Sequence, residues 1–155
     1  WRLVVRAAFE GAGAKYGEAE FERVFRSVYQ YYGTSGAYKV FDDVVPFLEW
    51  ASSRYCVGVI TNNCDRLVDN VLPLVGLHTH FDFFVVSSEV GFEKPSREIF
   101  LKACEEASAM LGSAVAPEEV LHVGDNYAAD YCGARAAGMS ASLIAREGVE
   151  QFQTW

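Results

Sequence analysis

The spacing of the hydrophobic positions changes once along this chain, near residue 40. Between Glu18 and Tyr32, apolar and aromatic residues recur every three or four positions, which predicts an amphipathic helix with one buried stripe. The segment from Trp1 to about Phe9 has a similar pattern and is followed by glycines, which predicts the end of another helix. We therefore expect a helical region over residues 1–40 that is separate from the rest of the chain.

After about Phe41, short continuous apolar runs alternate with longer amphipathic segments. A short apolar run between turn residues is typical of a strand that is buried on both faces. The predicted strands lie at Cys56–Ile60, Phe81–Val86, Val120–Val123 and Ala141–Ala145, and the predicted helices at 44–53, 65–75, 96–111 and 128–137. This alternation predicts an α/β fold with a parallel sheet, right-handed crossovers and flanking helices.

The composition fits one intracellular globular domain. Of the 155 residues, 51% are hydrophobic, which is enough for a real core. The formal net charge of -8 disfavours nucleic acid and anionic membranes as partners, because both attract basic surfaces. No apolar run reaches the length of a membrane span, and no secretory signal is visible. Four scattered cysteines suit a reducing compartment, so we expect a cytoplasmic protein, with the nucleus as an alternative.

Chemically useful side chains follow the first two predicted strands. In an open α/β sheet, ligands bind beyond the carboxyl ends of the strands. The hydroxyl of Thr61 and the amide of Asn62 can hydrogen-bond an oxyanion without adding charge, although residues here can also cap the next helix. Lys94 directly precedes Pro95, which favours an extended backbone and aims the ammonium toward the strand ends. The alternative for Lys94 is an ordinary solvated lysine.

Two carboxylates follow the third predicted strand, with no opposite charge close by in the sequence. Asp125 comes at the strand end, and Asp130 follows five positions later. Clustered like charges are costly unless they share a proton or a cation, so this pair favours a divalent metal, most simply Mg²⁺. The alternative is a turn aspartate followed by one that complements a helix dipole. Taken with Thr61 and Lys94, the pair outlines a site for phosphoryl chemistry.

Three blocks of the sequence resemble motifs of the haloacid dehalogenase-like hydrolases. The blocks are Val59–Asn63, Gly91–Phe100 and His122–Met139. The last block is long and specific, and it is most similar to one subgroup of that family. The resemblance covers about Phe41 to Ala145 and implies a Rossmann-like parallel sheet with flanking helices. Residues 1–40 resemble part of that family's helical cap, and residues 41–155 resemble the core without its first strand.

The resemblance implies a Mg²⁺-dependent hydrolase that acts on a small phosphorylated compound through an aspartyl-phosphate. Thr61 would then contact the phosphoryl oxygens with Asn62 beside it, and Lys94 would stabilise the phosphoryl charge and the nucleophile. Asp125 would bind Mg²⁺, directly or through water, and Asp130 would hold the metal's shell in place. Dehalogenation is a minor activity of that family and needs no metal, so the two aspartates disfavour it.

The family's first motif, an apolar strand followed by Asp-x-Asp, is absent from the 155 residues. The resemblance places that strand centrally, between the strands that end at Thr61 and Asp125, and we expect this chain to be a fragment without the nucleophile. Two unpaired apolar edges would remain, so we expect the isolated chain to be poorly stable and inactive. The alternative is a catalytically silent family member used for binding or assembly. The sequence predicts neither the substrate nor the oligomeric state.

Overall fold

A computed structural model of the chain describes residues 2–146. The chain divides into two compact units, Trp1–Phe41 and Asp42–Trp155. Trp1, which begins the first predicted helix, and residues 147–155, which end the predicted core region, lie outside the described part. Within that part, no helix combines the length and the apolar character that crossing a bilayer requires.

The first unit has two helices and one 3-10 turn. They are α1 (Arg2–Gly11), α2 (Glu18–Tyr31) and the turn at Ser35–Ala37. The side chain of Phe21 is buried, at 1% exposed. The guanidinium of Arg6 lies 3.9 Å from the centre of the Phe21 ring and pairs with Glu18 at 2.6 Å, so charge and packing both join α1 to α2. The two predicted helices are present, and the assignment of this unit to a cap remains a prediction.

The second unit alternates helices and strands in the predicted order. Its strands are β1 (Gly58–Thr61), β2 (Phe83–Val86), β3 (Leu121–Gly124) and β4 (Ser140–Leu143). Its helices are α3 (Val44–Ser52), α4 (Leu72–Leu74), α5 (Ser87–Val90), α6 (Arg97–Leu111) and α7 (Gly133–Ala137). Further 3-10 turns lie at His78–His80 and Pro117–Glu119. The four predicted strands are present within two residues of the expected bounds, whereas α5 was not predicted.

Two of the predicted helices are shorter and wider than expected. Residues 65–75 contain a π-helical turn at Leu67–Val71 that continues into the short α4. Pro73 explains the interruption, because it has no N–H to donate and its ring collides with the carbonyl four residues earlier. The helix expected after β3 likewise begins as a π-helical turn, at Tyr127–Cys132, before α7. That turn directs Asp130 into the interior, where the residue is 4% exposed.

The strands form two separate parallel pairs. β1 pairs with β2, so that Thr61 lies opposite Val86, and β3 pairs with β4, so that Gly124 lies opposite Leu143. Among residues 2–146, neither β1 nor β3 has a strand on its second side. The predicted parallel pairing is confirmed, and the carboxyl ends of the strands within each pair lie side by side.

Helix α6 connects the two strand pairs through the hydrophobic core. Ile99 and Phe100 on α6 are 0% exposed and share one buried cluster with Val85 of β2 and with Met139, which precedes β4. A Cβ at Gly133 would come within 2.9 Å of the Phe100 ring, so only glycine allows the start of α7 to lie this close to α6. Both strand pairs therefore pack against the same helix.

Candidate functional site

Lys94 links the first strand pair to the segment that follows β3. Its Nζ donates to the carbonyl oxygen of Ile60 at 2.9 Å and pairs with Oδ1 of Asp130 at 2.6 Å. The Lys94 side chain is only 14% exposed. The sequence-based alternative, a solvated surface lysine, is therefore wrong, and the predicted direction of the ammonium toward the strand ends agrees with the structure.

Asn62 holds the backbone around Lys94 from the end of β1. Its Nδ2 donates to the Lys94 carbonyl oxygen at 2.9 Å, and its Oδ1 accepts from the Lys94 backbone N–H at 2.7 Å. This reciprocal pair fixes the orientation of the amide, so Asn62 positions the Lys94 backbone, while its second Nδ2–H is not used in these two contacts.

Thr61 stabilises the turn that follows β1. Its Oγ1 accepts a hydrogen bond from the backbone N–H of Asn63 at 3.1 Å. This contact closes the turn over residues 61–63 and does not cap a helix, because the next helical turn begins at Leu67. The hydroxyl hydrogen is not used in that contact and can still be donated to an oxyanion near the strand end.

Asp130 is a buried carboxylate with a donor on each oxygen. Oδ1 accepts from Lys94 at 2.6 Å and lies 3.1 Å from Nε2 of His122, while Oδ2 accepts from the backbone N–H of Asn126 at 2.9 Å. Burial alone would raise the pKa of Asp130. The hydrogen bonds from His122, from Lys94 and from the backbone N–H of Asn126 outweigh burial and hold this pKa well below the ordinary aspartate value. Asp130 is therefore ionised at neutral pH, with its orientation fixed.

Gly124, the last residue of β3, makes room for the Asp130 carboxylate. A Cβ at this position would overlap the carboxyl group of Asp130. A glycine is thus required here because the carboxylate lies directly against the strand backbone. The Gly-Asp pattern at the end of β3 has a steric cause in addition to any chemical one.

Asp125 differs from Asp130 in its surroundings. It follows β3 directly and is exposed, and no other side chain in residues 2–146 forms an ion pair with it. The described part of the chain also contains no group of three or more His, Cys, Asp or Glu side chains that could hold a metal. Of the two carboxylates predicted as metal ligands, Asp125 is free to accept a cation, whereas Asp130 is occupied by the protein's own donors.

His122 belongs to this cluster and was missed from the sequence. Its side chain is 10% exposed, and its ring packs edge-on against Phe100, with centroids 5.2 Å apart at 89°. Strand alternation was the signal that could have found it, because β3 turns Leu121 and Val123 to one face and His122 to the other. The structure thus brings together Asn62, Lys94, Asp130 and the unpredicted His122.

Comparison with known proteins identifies relatives of this chain. A model of the family described as haloacid dehalogenase-like hydrolase matches residues 1–138. Haloacid dehalogenase-like hydrolase domain-containing protein 3 of Bos taurus is 31% identical over 145 residues, which cover 94% of this chain and 55% of that protein. Glyceraldehyde 3-phosphate phosphatase of Methanopyrus kandleri is 35% identical over 131 residues, which cover 83% of this chain and 54% of the phosphatase.

A solved structure agrees with the fold. YfnB of Bacillus subtilis, whose crystal structure has magnesium bound, superposes with a TM-score of 0.72 over 92% of this chain and 60% of its own. The sequence identity is 22%, so this likeness concerns the fold alone. It confirms the predicted α/β, Rossmann-like architecture.

The chain belongs to the haloacid dehalogenase-like hydrolases. The resemblance predicted from the three sequence blocks is confirmed. The bovine relative also carries the name of the subgroup to which the long last block is most similar, so the predicted subgroup is confirmed as well. The chain spans about half the length of that relative, 55% of it.

Proposed function

We propose that this chain supplies the Lys94, Asp125 and Asp130 side of a Mg²⁺-dependent phosphatase site that acts on a small phosphorylated compound. The observation that carries the proposal is the buried Lys94–Asp130 pair, which lies at the strand ends beside the exposed Asp125. The Lys94 ammonium, held by Asp130, suits a dianionic phosphoryl group, and the free carboxylate of Asp125 suits the metal ion that accompanies such a group. The phosphatase of Methanopyrus kandleri supports the substrate class.

Each side chain has a separate role in the proposed reaction. Lys94 neutralises charge on the phosphoryl group and approaches it as a point charge from the interior side. Thr61 donates its free hydroxyl hydrogen to a phosphoryl oxygen. Asp130 keeps the Lys94 ammonium in place through Oδ1, because its other oxygen, Oδ2, is held by the backbone N–H of Asn126. Asn62 fixes the Lys94 backbone through its Nδ2 and Oδ1.

The proposal assigns Mg²⁺ to the exposed carboxylate of Asp125, and Asp130 would hold the ligand shell of the metal in place. Mg²⁺ usually keeps several waters and is bound through one or two carboxylates together with substrate phosphate oxygens, so a single free carboxylate suits this ion. When bound, the metal would neutralise phosphoryl charge and orient the group for attack. Binding at Asp125 can be followed without turnover, by shifts of the Gly124, Asp125 and Asn126 amide signals on addition of Mg²⁺.

The nucleophile is the part that these 155 residues do not contain. Asp-x-Asp does not occur in the sequence. We propose that the attacking aspartate, which forms the aspartyl-phosphate, and the acid–base aspartate come from a segment outside this chain, and that residues 1–40 are part of a helical cap. This chain alone is then inactive. The proposal also places the parent protein in the cytoplasm and gives it no nucleic acid or membrane partner.

The test is a phosphatase assay on the longest natural reading frame that contains this chain, with a panel of phosphate monoesters. Lys94→Ala and Asp125→Ala should each lower turnover by about 10²-fold or more, as when one oxyanion donor is removed. Lys102→Ala is the matched control, because Lys102 lies on α6 and pairs with Glu105 at 2.8 Å on the surface. Unchanged turnover in both site variants would contradict the assignment.

The second candidate is a catalytically silent member of the family that binds a phosphorylated partner or ligand. Asp-x-Asp is absent from these residues, and a silent member would lack it in the full reading frame as well. Its signature would be binding of inorganic phosphate that depends on Lys94, with no turnover of any monoester by the full reading frame. The sequence upstream of Trp1 separates the two, because an apolar run that ends in Asp-x-Asp supports the enzyme.

A further inference from the structure

His122 is a buried titratable side chain to which the proposed reaction assigns no role. It lies on β3 with 10% of its side chain exposed, whereas its neighbours Leu121 and Val123 are 61% and 39% exposed. Its ring is held edge-on against Phe100, a residue of α6 with no exposed surface. Packing therefore fixes the imidazole plane before any hydrogen bond is considered.

The fixed ring directs Nε2 at the same oxygen that binds Lys94. Nε2 of His122 is 3.1 Å from Oδ1 of Asp130, and Nζ of Lys94 is 2.6 Å from that atom. The other oxygen, Oδ2, is occupied by the backbone N–H of Asn126 at 2.9 Å. Since an ionised carboxylate can only accept, Nε2 must carry the proton in this contact.

Resting on the proposed function, we propose that His122 is a positioning residue, which holds Oδ1 of Asp130 in the orientation that presents the Lys94 ammonium to the phosphoryl group. His122 does not touch the substrate. Its effect passes through Asp130 to Lys94, in the way that outer partners orient the inner ligands of a site.

The contacts of Lys94 explain why this orientation matters. The ammonium has two partners in the described residues, the Ile60 carbonyl oxygen on β1 and Oδ1 of Asp130 beyond β3. The first is fixed by the backbone of β1. The second is on a side chain that could turn if Nε2–H of His122 were removed, and Lys94 would then lose its defined position between the two strand pairs.

The simpler alternative is that His122 only fills the core beside Phe100. The two roles differ in what a substitution should do. A packing role needs a ring of similar size, whereas a positioning role needs a donor at the place of Nε2. His122→Phe keeps the ring and removes the donor. His122→Gln removes the ring and keeps an N–H donor at a similar reach.

The first measurement is chemical labelling of lysines in the full reading frame that contains this chain. Limited acetylation with acetic anhydride, read by mass spectrometry, should modify Lys94 several-fold faster in His122→Phe than in the unaltered chain, and His122→Gln should restore slow labelling. Lys39 is exposed and serves as the internal control, with the same rate in all three proteins. Circular dichroism melting shows whether each variant is folded. Equal Lys94 labelling in folded His122→Phe would overturn the proposal.

A measurement on the unaltered chain covers the case in which a variant does not fold. Long-range ¹H–¹⁵N NMR spectra of the histidine rings report which nitrogen carries a proton. The proposal requires a proton on Nε2 of His122, and a bare Nε2 would overturn it. This result does not depend on any activity.

Kinetics of the full reading frame then separate this inference from the proposed function. His122→Phe should lower kcat by about 10-fold to 100-fold with little change in KM, the usual size for an outer partner, and His122→Gln should recover most of kcat. Unchanged kcat in folded His122→Phe would contradict the positioning role. If the unaltered protein hydrolyses no monoester, the phosphatase proposal fails, and the labelling result still decides whether His122 positions Lys94.

Discussion

The two strand pairs of the second unit are packed very differently. In the β1–β2 pair, Val85 and Val86 are each 1% exposed. In the β3–β4 pair, Leu121 is 61%, Val123 is 39% and Leu143 is 37% exposed. The first pair therefore contributes the carboxyl end of β2 to the core, although no residue of β1 is fully buried, whereas the second pair leaves apolar side chains of one face uncovered within residues 2–146.

This difference in burial shows which contacts keep the candidate site rigid. The β3–β4 pair lacks the packing of the first pair on one side, yet Asp130, in the π-helical turn that follows β3, has three hydrogen-bond partners. The core contacts of α6, centred on Phe100, and the Lys94–Asp130 ion pair at the strand ends are two of the links that hold the β3–β4 pair to the rest of the unit. A third is the two-point ion pair between Arg146, which follows β4, and Asp43. Removing each link in turn should therefore show how much of that rigidity it supplies.

Removal of the core link should have the largest effect. Phe100→Ala deletes a ring with no exposed surface that contacts His122, so the free energy of unfolding should fall by about 3 to 5 kcal/mol. Urea unfolding of the full reading frame that contains this chain, followed by circular dichroism, measures this loss. Phe92→Ala is the matched control, because Phe92 is 46% exposed and its loss should cost far less. Equal losses in the two variants would contradict the central place of Phe100.

Removal of the ion pair should have the next largest effect. Asp130→Asn leaves the Lys94 ammonium buried without its counter-ion and should cost about 3 kcal/mol, near the low end for a broken buried pair because the amide oxygen still accepts. Asp125→Asn, five residues away and exposed, should change stability by no more than about 0.5 kcal/mol. Similar losses for the two aspartates in urea unfolding would mean that their surroundings do not differ as described.

Acid should weaken the same link without a mutation. The pKa of Asp130 is lower in the folded chain than in the unfolded chain, so the unfolded chain binds a proton first as the pH falls. The contribution of Asp130 to the free energy of unfolding is complete when the pH is above the ordinary aspartate pKa of about 3.9, and it is lost as the pH falls below that value. Asp130→Asn should show a flatter acid limb in thermal melts at stepped pH. A parallel acid limb in the variant would show that other groups cause the loss.

The smallest effect should come from the uncovered face of the second pair. Val123→Thr places a hydroxyl on a partly exposed position of β3 and should change the free energy of unfolding by no more than about 0.5 kcal/mol. Val85→Thr buries the same hydroxyl in the β1–β2 pair and should cost about 1 to 3 kcal/mol. If Val123→Thr cost as much as Val85→Thr, the face of β3 would be covered after all.

The sequence predicted the strands, the parallel pairing and the convergence of Lys94 and Asp130, because continuous apolar runs and strand-end polarity are local patterns. It did not predict that both carboxylate oxygens of Asp130 would accept hydrogen bonds from the protein itself. The contact with His122 depends on how α6 packs Phe100 against β3, which the local sequence does not contain. It also did not predict that the amide of Asn62 binds the Lys94 backbone across 32 residues of sequence. Contacts of this range are set by packing, which local patterns do not contain.

A double-mutant cycle tests most directly whether Lys94 and Asp130 join the two strand pairs. In the full reading frame that contains this chain, the free energy of unfolding is measured by urea for the unaltered protein, Lys94→Met, Asp130→Asn and the double variant. Because the two side chains are in contact at 2.6 Å, their effects should not be additive. The sum of the two single losses should exceed the loss in the double variant by about 1 to 3 kcal/mol. Additive losses, within about 0.5 kcal/mol, would contradict the ion pair as the link between the pairs and as the base of the proposed site.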